Sequence, residues 1–503
     1  MRLYVRLEPF GAERGYPGTP DRFDRFTELE PRRVRSWVGE SMLMNGMSAR
    51  AQAWMTLVAM LSLATMGFAN DSRASDSRAR RDMRIDEWVD RELPELLEVY
   101  RHLHANPELS LEETKTSALV AMSLREAGYS VETGIGGHGV LGILSNGLGP
   151  TLLIRGDMDG LPITESTGLA YASSVRTKNA EGVVVGVMHA CGHDVHVTNL
   201  LGTARLLSEM RGAWRGTLVI LAQPAEELGL GALRMIEEGL FEKIPSPDYG
   251  LALHVAAELP AGSIGYVSGW AAANVDSVEI KVHGRGGHGA RPHETIDPVV
   301  TASYLVTALQ TIVSRRIDPS EPAVVTVGSI HGGSKGSVIS DEVQLALTVR
   351  SYSDETRHEL LRLIEHVARE VCDLFECPKS PEFSTKDHYT PAMWNDPELV
   401  LHGIEVFRGL LGDENVREIS ATMTGEDFGR YSRAGKFPSF LYRLGSVSEE
   451  SLRASRSGGD PLPSIHSSRY APDPSLTIRT GLRSMTRLAM SLLASSEVES
   501  QKD

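Results

Sequence analysis

The sequence predicts an α/β protein into which a smaller α+β unit is inserted. Short, wholly apolar runs end at polar or charged residues and are followed by helical patterns, as expected for a largely parallel sheet with helices on its faces. From about Ala273 the texture changes to alternating strands separated by two long helices. From Pro378 to Pro391 the chain returns to the first texture, so the first domain is completed from the far half of the sequence.

Taken in order, Thr151 to Ile154 reads as a buried strand running into Arg155, Asp157 and Asp159. A helix is expected from about Val197 to Met210. The apolar run Thr217 to Ala222 reads as a strand ending at Gln223-Pro224-Ala225-Glu226-Glu227, and Tyr249 to Val255 as another that carries His254. On an extended chain the Glu226 and Glu227 carboxylates would point opposite ways and hold different tasks. In the insertion, Val278, Ile280 and Val282 alternate. A helix of about Pro298 to Ser314 follows, then strands Ala323 to Ile330 and Val343 to Val349, a helix Asp354 to Phe375 and a weak strand near Glu382. That β-α-β-β-α-β order is ferredoxin-like. The expected boundaries are 85–272 and 385–495 for the catalytic domain, 273–384 for the insertion, and a polar tail at 496–503.

The densest chemistry lies in Met188-His189-Ala190-Cys191-Gly192-His193-Asp194-Val195-His196, where one thiol, three imidazoles and a carboxylate fall within nine residues. Cys, His and carboxylate side chains bind zinc or manganese at neutral pH. Glu226, Glu227, His254, Asp157 and a late His466 are the further candidates. All of them follow strands or lie in loops, where open α/β sheets place their crevice. His189 and His196 are read as groups behind the ligands, with direct ligation as the alternative.

Six motifs recur in order: Arg101-His102-Leu103-His104-Ala105-Asn106-Pro107-Glu108-Leu109-Ser110, Gly156-Asp157-Met158-Asp159-Gly160-Leu161-Pro162-Ile163, His189-Ala190-Cys191-Gly192-His193-Asp194, Gln223-Pro224-Ala225-Glu226-Glu227, Gly286-Gly287-His288-Gly289-Ala290 and Gly425-Glu426-Asp427-Phe428. Together they make the chain, from roughly Ile85 to Leu493, resemble the aminoacylase-like metallopeptidases. More narrowly, it is similar to the branch of hippurate hydrolases, N-acyl amino acid amidohydrolases and auxin-conjugate hydrolases. The resemblance implies a zinc-peptidase-like catalytic domain, a lid domain used for homodimerisation and two divalent cations, Zn2+ or Mn2+, per subunit. It gives Cys191, His193, Glu227, His254 and His466 as metal ligands, the Cys191 thiolate bridging. Glu226 corresponds to the general base and Asp157 to the carboxylate behind the metals. The His found two residues before that Asp in related branches is here Arg155, and His193 makes up the lost ligand. His288 corresponds to a lid His that reaches the partner subunit's active site and stabilises the oxyanion. Where the branch has Asn-Val-Ile-Pro-Asp near the substrate carboxylate, this chain has Ser337-Val338-Ile339-Ser340-Asp341. Ser337 has a shorter reach than an amide. Arg350 is read as a carboxylate clamp, with a structural ion pair as the alternative.

The implied reaction is hydrolysis of the amide bond of an N-acyl amino acid or short peptide by a metal-bound hydroxide. Two cations about 3.5–4 Å apart bring the pKa of a bridging water toward roughly 7. A dipeptidase or carboxypeptidase of the same family is the enzymatic alternative. A metal-containing binding protein with a degraded site is the non-enzymatic one, argued against by Glu226 beside an intact ligand set.

Composition fits this. The chain has 503 residues, 41% hydrophobic and 23% charged, enough for two or three domains. Its net charge is −15, and Met1 to Arg84 alone is +4, leaving the body strongly acidic and excluding nucleic acid as an expected partner. Ala53 to Ala69 is an uncharged 17-residue run after Arg50, ending in the small residues Gly67 and Ala69. That is the layout of a signal peptide cleaved after Ala69, with a true start at Met42, Met44 or Met47, and 70–84 reads as a linker. Export to the periplasm or medium is expected, without stable membrane association after removal; an anchor at 53–69 is the alternative. Three cysteines make no disulfide framework, and a Cys372–Cys377 bridge is optional.

Overall fold

The computed structural model describes residues 79–386 and 388–493, so the apolar run 53–69 and the tail 496–503 lie outside the described residues. The strands used below are β1 Ser130–Ile135, β2 Gly139–Asn146, β3 Thr151–Asp157, β4 Gly216–Gln223, β5 Tyr249–Pro260 and β6 Ile264–Tyr266. They continue with β7 Asn274–His283, β8 Ala323–Gly332, β9 Glu342–Ser351, β10 Glu382–Thr385, β11 Val416–Glu418 and β12 Ser439–Val447.

Eight strands form one mixed sheet in the order β1-β2-β4-β3-β5-β12-β6-β11. Its centre, β4-β3-β5-β12, is parallel. These strands are apolar on both faces because both faces are covered. Leu152, Ile154, Leu218 and Ile220 join one core cluster, while the intervening Leu153, Val219 and Leu221 join another. Buried parallel strands produce such uninterrupted apolar runs. Asp157 and Gln223 are paired last residues of β3 and β4, so the segments that follow them start from the same end of the sheet.

The inserted unit has its own four-stranded antiparallel sheet, β8-β9-β7-β10, with the first strand between the third and the fourth. That is the ferredoxin-like arrangement. Val278, Ile280, Val282, Leu345 and Leu347 pack with Leu305, Leu309, Leu360 and Ile364 of helices Pro298–Arg315 and Asp354–Leu374 in a core shared with neither face of the large sheet. Both helices start at side-chain caps, Asp297 and Ser353. Cys372 is buried in this core, and Cys372 and Cys377 are free thiols.

Three local expectations are corrected. The expected linker 70–84 is already helical from residue 79, in a helix that continues to 105. Its Asp86 receives hydrogen bonds from Arg483 at 2.7 Å and Arg487 at 2.8 Å, a fixed point invisible in local composition. The helix expected from Val197 starts at His193 and runs to Glu209, so His193, Asp194 and His196 occupy its first turn. Gly192 makes this start possible: its φ is +77°, and a Cβ there would lie 2.5 Å from Val255 Cγ2. Finally, Glu226 and Glu227 do not continue β4. They lie in a turn entered through Ala225 at φ +50°, and their carboxylates converge on one site instead of splaying apart. Among the described residues no helix is long and apolar enough to cross a membrane.

Candidate active site

Cys191 is the hinge of the site. Its Sγ lies 3.5 Å from His254 Nε2 and 3.2 Å from His466 Nε2, and His466 Nε2 lies 3.4 Å from Glu227 Oε1. Two groups that could each hold a cation therefore share the thiol: Cys191 with His193 and His254, and Cys191 with Glu227 and His466. The first group is buried, whereas His466 is exposed and opens the site to solvent. His193 Nε2 and Glu227 Oε1 are buried without a hydrogen-bond partner. Unpaired buried polar atoms are costly, and a cation in each group would satisfy both. The donor set thus fits two divalent ions.

The groups behind the candidate ligands fix their tautomers. Asp159 Oδ1 takes His193 Nδ1 at 3.1 Å, and the Val255 carbonyl takes His254 Nδ1 at 2.7 Å, so both rings present Nε2 to the cluster. The other Asp159 oxygen accepts from Glu227 N at 3.0 Å and Ser110 Oγ at 2.6 Å. His196 has both nitrogens occupied, Nδ1 by Asp157 at 2.5 Å and Nε2 by the Val255 N–H at 2.9 Å. It stands behind the ligands. His189 has no partner on either nitrogen among the described residues, and burial pushes its pKa down to about 4, leaving a neutral ring.

Arg155 is the charge centre of the far side. Its guanidinium and Nε reach Asp157 at 2.6 Å, Asp427 at 3.0 Å, Glu426 at 3.0 Å and Gln223 at 2.9 Å, all buried. Burial alone would raise the Asp157 carboxyl, but Arg155, His193 and His196 hold it well below the usual carboxylate range. Glu226 is the opposite case. Burial and the carboxylates of Glu426, Glu227 and Asp427 push it well above that range, while His193 pulls it back slightly. Burial and Glu227 raise the Cys191 thiol to about 12, so a cation must displace its proton on binding.

The remaining expected residues lie elsewhere. His288 is exposed in the short strand Gly287–His288, opposite Val338, and its Nδ1 accepts the Ala290 N–H at 3.0 Å. The exposed Ser337 accepts the Gly289 N–H at 2.8 Å, which brings His288 and Ser337 together on one ribbon. No hydrogen bond or ion pair joins either of them to the metal cluster among the described residues. Arg350, half-buried on β9, donates to Thr348 Oγ1 at 3.0 Å and the Met423 carbonyl at 3.1 Å. It has no carboxylate partner among the described residues, and burial lowers its pKa. The structural ion pair considered for it is not formed.

Sequence reasoning missed the tasks of Asp159, Ser110, Glu426 and Asp427, although each sits inside a motif it had singled out. It also missed His104, which is buried between Asp194 at 2.7 Å and Glu165 at 3.1 Å. Burial opposes its protonation, but the two carboxylates win and raise its pKa to about 10. With an unfolded-state value near 6.5, His104 stabilises the fold fully below about pH 6.5 and loses this contribution as pH rises through about 10. Urea unfolding at pH 6.5 and pH 10 is expected to show a fall on the order of 3 kcal/mol that His104→Gln abolishes. Equal pH dependence in the two proteins would refute the assignment.

A signature described as Peptidase family M20/M25/M40 matches residues 153–456, which include every cluster residue except His466. The chain belongs to this family. Hippurate hydrolase of Campylobacter jejuni is 38% identical over 68% of this chain and 88% of its own length. N-acetyl-L-cysteine deacetylase of Bacillus subtilis is 37% identical over 67% and 77%. A crystal structure of Bacillus subtilis YXEP, described as a dinuclear metal binding peptidase of the M20 family, superposes with a TM-score of 0.65 at 28% identity, covering 80% of this chain and 99% of that one. The protein is thus a hydrolase of the M20 family, with the mixed α/β fold of its relatives.

Proposed function

We propose that this protein is a two-metal amidohydrolase that releases free amino acids from N-acyl amino acids. The observation that carries the reading is the pair of candidate cation groups sharing Cys191, with the Glu226 carboxyl beside them. Cys191, His193, Glu227, His254 and His466 would hold the two ions. Bound there, divalent cations supply Lewis acidity toward the amide carbonyl and activate water.

The chain's own groups do the rest. Burial and the neighbouring carboxylates raise the proton affinity of Glu226 in the cation-free site; ionised beside the positive charge of bound cations, it would take the proton of the attacking water and pass it to the departing amine nitrogen. Asp159 and Asp157 keep His193 and His196 fixed while charge moves. Arg350, a half-buried cation without a carboxylate partner among the described residues, suits the free carboxylate of the amino acid product. Ser337 would contribute one hydroxyl donor. His288 would act from a second copy of this chain, as a donor to the developing oxyanion.

Two features support association through the insertion. Among the described residues β8 is an edge strand with unpaired backbone groups on one side, and Val299, Val300, Tyr304 and Ile330 are exposed apolar residues of the same unit. Export with removal of 53–69 belongs to the same reading; N-terminal sequencing of secreted protein is expected to give a terminus near Asn70.

The test is a panel of N-acetyl, N-benzoyl and indoleacetyl amino acids with dipeptides as counter-substrates. Release of amino acid is expected to disappear with chelator and return with zinc or manganese. Turnover of dipeptides alone would replace this reading with a dipeptidase. No turnover with two cations bound per chain would favour a binding role.

A further inference from the structure

The segment Pro107 to Glu113 contributes nothing to the candidate ligand set, yet it is tied to the site from both sides. Leu109 bridges to Gly160, the Gly160 N–H donates to the Glu108 carbonyl at 2.7 Å, and Ser110 holds Asp159. Glu113 is fully buried. Its Oε1 accepts the N–H of Leu111 at 3.0 Å and of Ala225 at 2.8 Å.

Leu111 and Ala225 are two of only five non-glycine residues with positive φ among the described residues, at +69° and +50°. Side chains with a Cβ disfavour this region, and such conformations persist where the surroundings over-determine them. One carboxylate oxygen thus pins two left-handed residues from distant segments. The turn after Ala225 closes through its own bonds, Gly229 N to the Glu226 carbonyl and Gly231 N to the Ala225 carbonyl. The Ala225 N–H itself is met by Glu113.

We propose that Glu113 is a positioning residue that sets the Glu226–Glu227 turn, by holding Ala225 in its left-handed conformation. Relaxation of Ala225 to negative φ redirects the two carboxylates that follow it, one read as base and one as ligand. Ser110 braces the other side of the same pair through Asp159, which accepts from the Glu227 N–H. The inference rests on the proposed roles of Glu226 and Glu227.

The experiment compares wild type, Glu113→Ala, Glu113→Gln and the double variant Glu113→Ala/Ala225→Gly. It reads kcat, KM, cations per chain and hydrogen exchange at the Ala225 amide. In Glu113→Ala, faster exchange at Ala225 is expected with kcat lowered about tenfold or more and KM within about threefold. Adding Ala225→Gly is expected to recover at least about threefold of kcat, because glycine takes positive φ without a clamp. Glu113→Gln keeps an acceptor oxygen and is expected within about threefold of wild type. Unchanged kcat and Ala225 exchange in Glu113→Ala overturns the proposal, as does a loss that neither glutamine nor glycine restores. If Glu113→Ala does not fold, Glu113→Gln decides, and a tenfold loss there overturns it. Amide exchange in the metal-free protein reads the clamp even if the wild type cleaves no N-acyl amino acid, so failure of the proposed function is distinguished from failure of the clamp.

Discussion

Glu226→Gln is expected to keep two cations per chain while kcat falls about 10²–10⁴-fold, the range that a positioned acid–base group supplies. The substitution is nearly isosteric, so packing is preserved. It removes a carboxyl that burial, Glu426, Glu227 and Asp427 already drive toward its neutral form. Folding stability without metal is therefore expected to stay level or rise, even as turnover is lost. Such a pairing separates a chemical task from a structural one, because a residue needed for architecture loses both together. Metal analysis, kcat and chemical denaturation on one preparation check it. A variant within tenfold of wild-type kcat would remove Glu226 as the base.

Arg155→Met is expected to be the most destabilising single change in the site. Methionine fills much of the space but leaves Asp157, Glu426 and Asp427 without the guanidinium that reaches all three. Breaking a buried ion pair by removing one partner costs about 3–5 kcal/mol, and here three acids lose one cation. Arg155→Lys is expected to recover little, since a single ammonium does not reproduce a planar fork with several fixed donors. Adding Asp427→Asn to Arg155→Met is expected to restore part of the loss by removing one uncompensated charge. Equilibrium unfolding in urea measures each step, and a cost below about 1 kcal/mol for Arg155→Met would show that the acids are neutralised in another way.

Much of this architecture was legible because the driving patterns are local. Buried parallel strands announce themselves as apolar runs, and Val278, Ile280 and Val282 alternate because one face of β7 meets a core. The residue types of the cluster also pointed to a metal site, and the family resemblance singled out Cys191, His193, Glu227, His254 and His466 among the candidate side chains. What stayed hidden depends on backbone conformation and on distant partners. Periodicity placed the start of the helix at Val197, because it cannot register that Gly192 turns left-handed and lets a row of polar residues begin a helix. Nothing near Ala225 signals that a carboxylate over a hundred residues earlier fixes its φ. Asp427 looked like a motif residue without a task until the fold placed it against an arginine 272 positions away.

The contact between His466 and Cys191 joins positions 275 residues apart, with the whole inserted unit between them. A chain made from its amino terminus carries Cys191, His193 and His254 long before His466 exists. At about 5–20 residues per second, the interval lasts tens of seconds. During synthesis only one of the two candidate cation groups has all its donors, so on the proposed two-metal reading an ion captured at that stage would sit in a half-built centre. On that reading, full loading would require that the last stretch of chain has been made and folded into place. A fragment that ends before residue 466 cannot assemble the second group, however well its sheet forms.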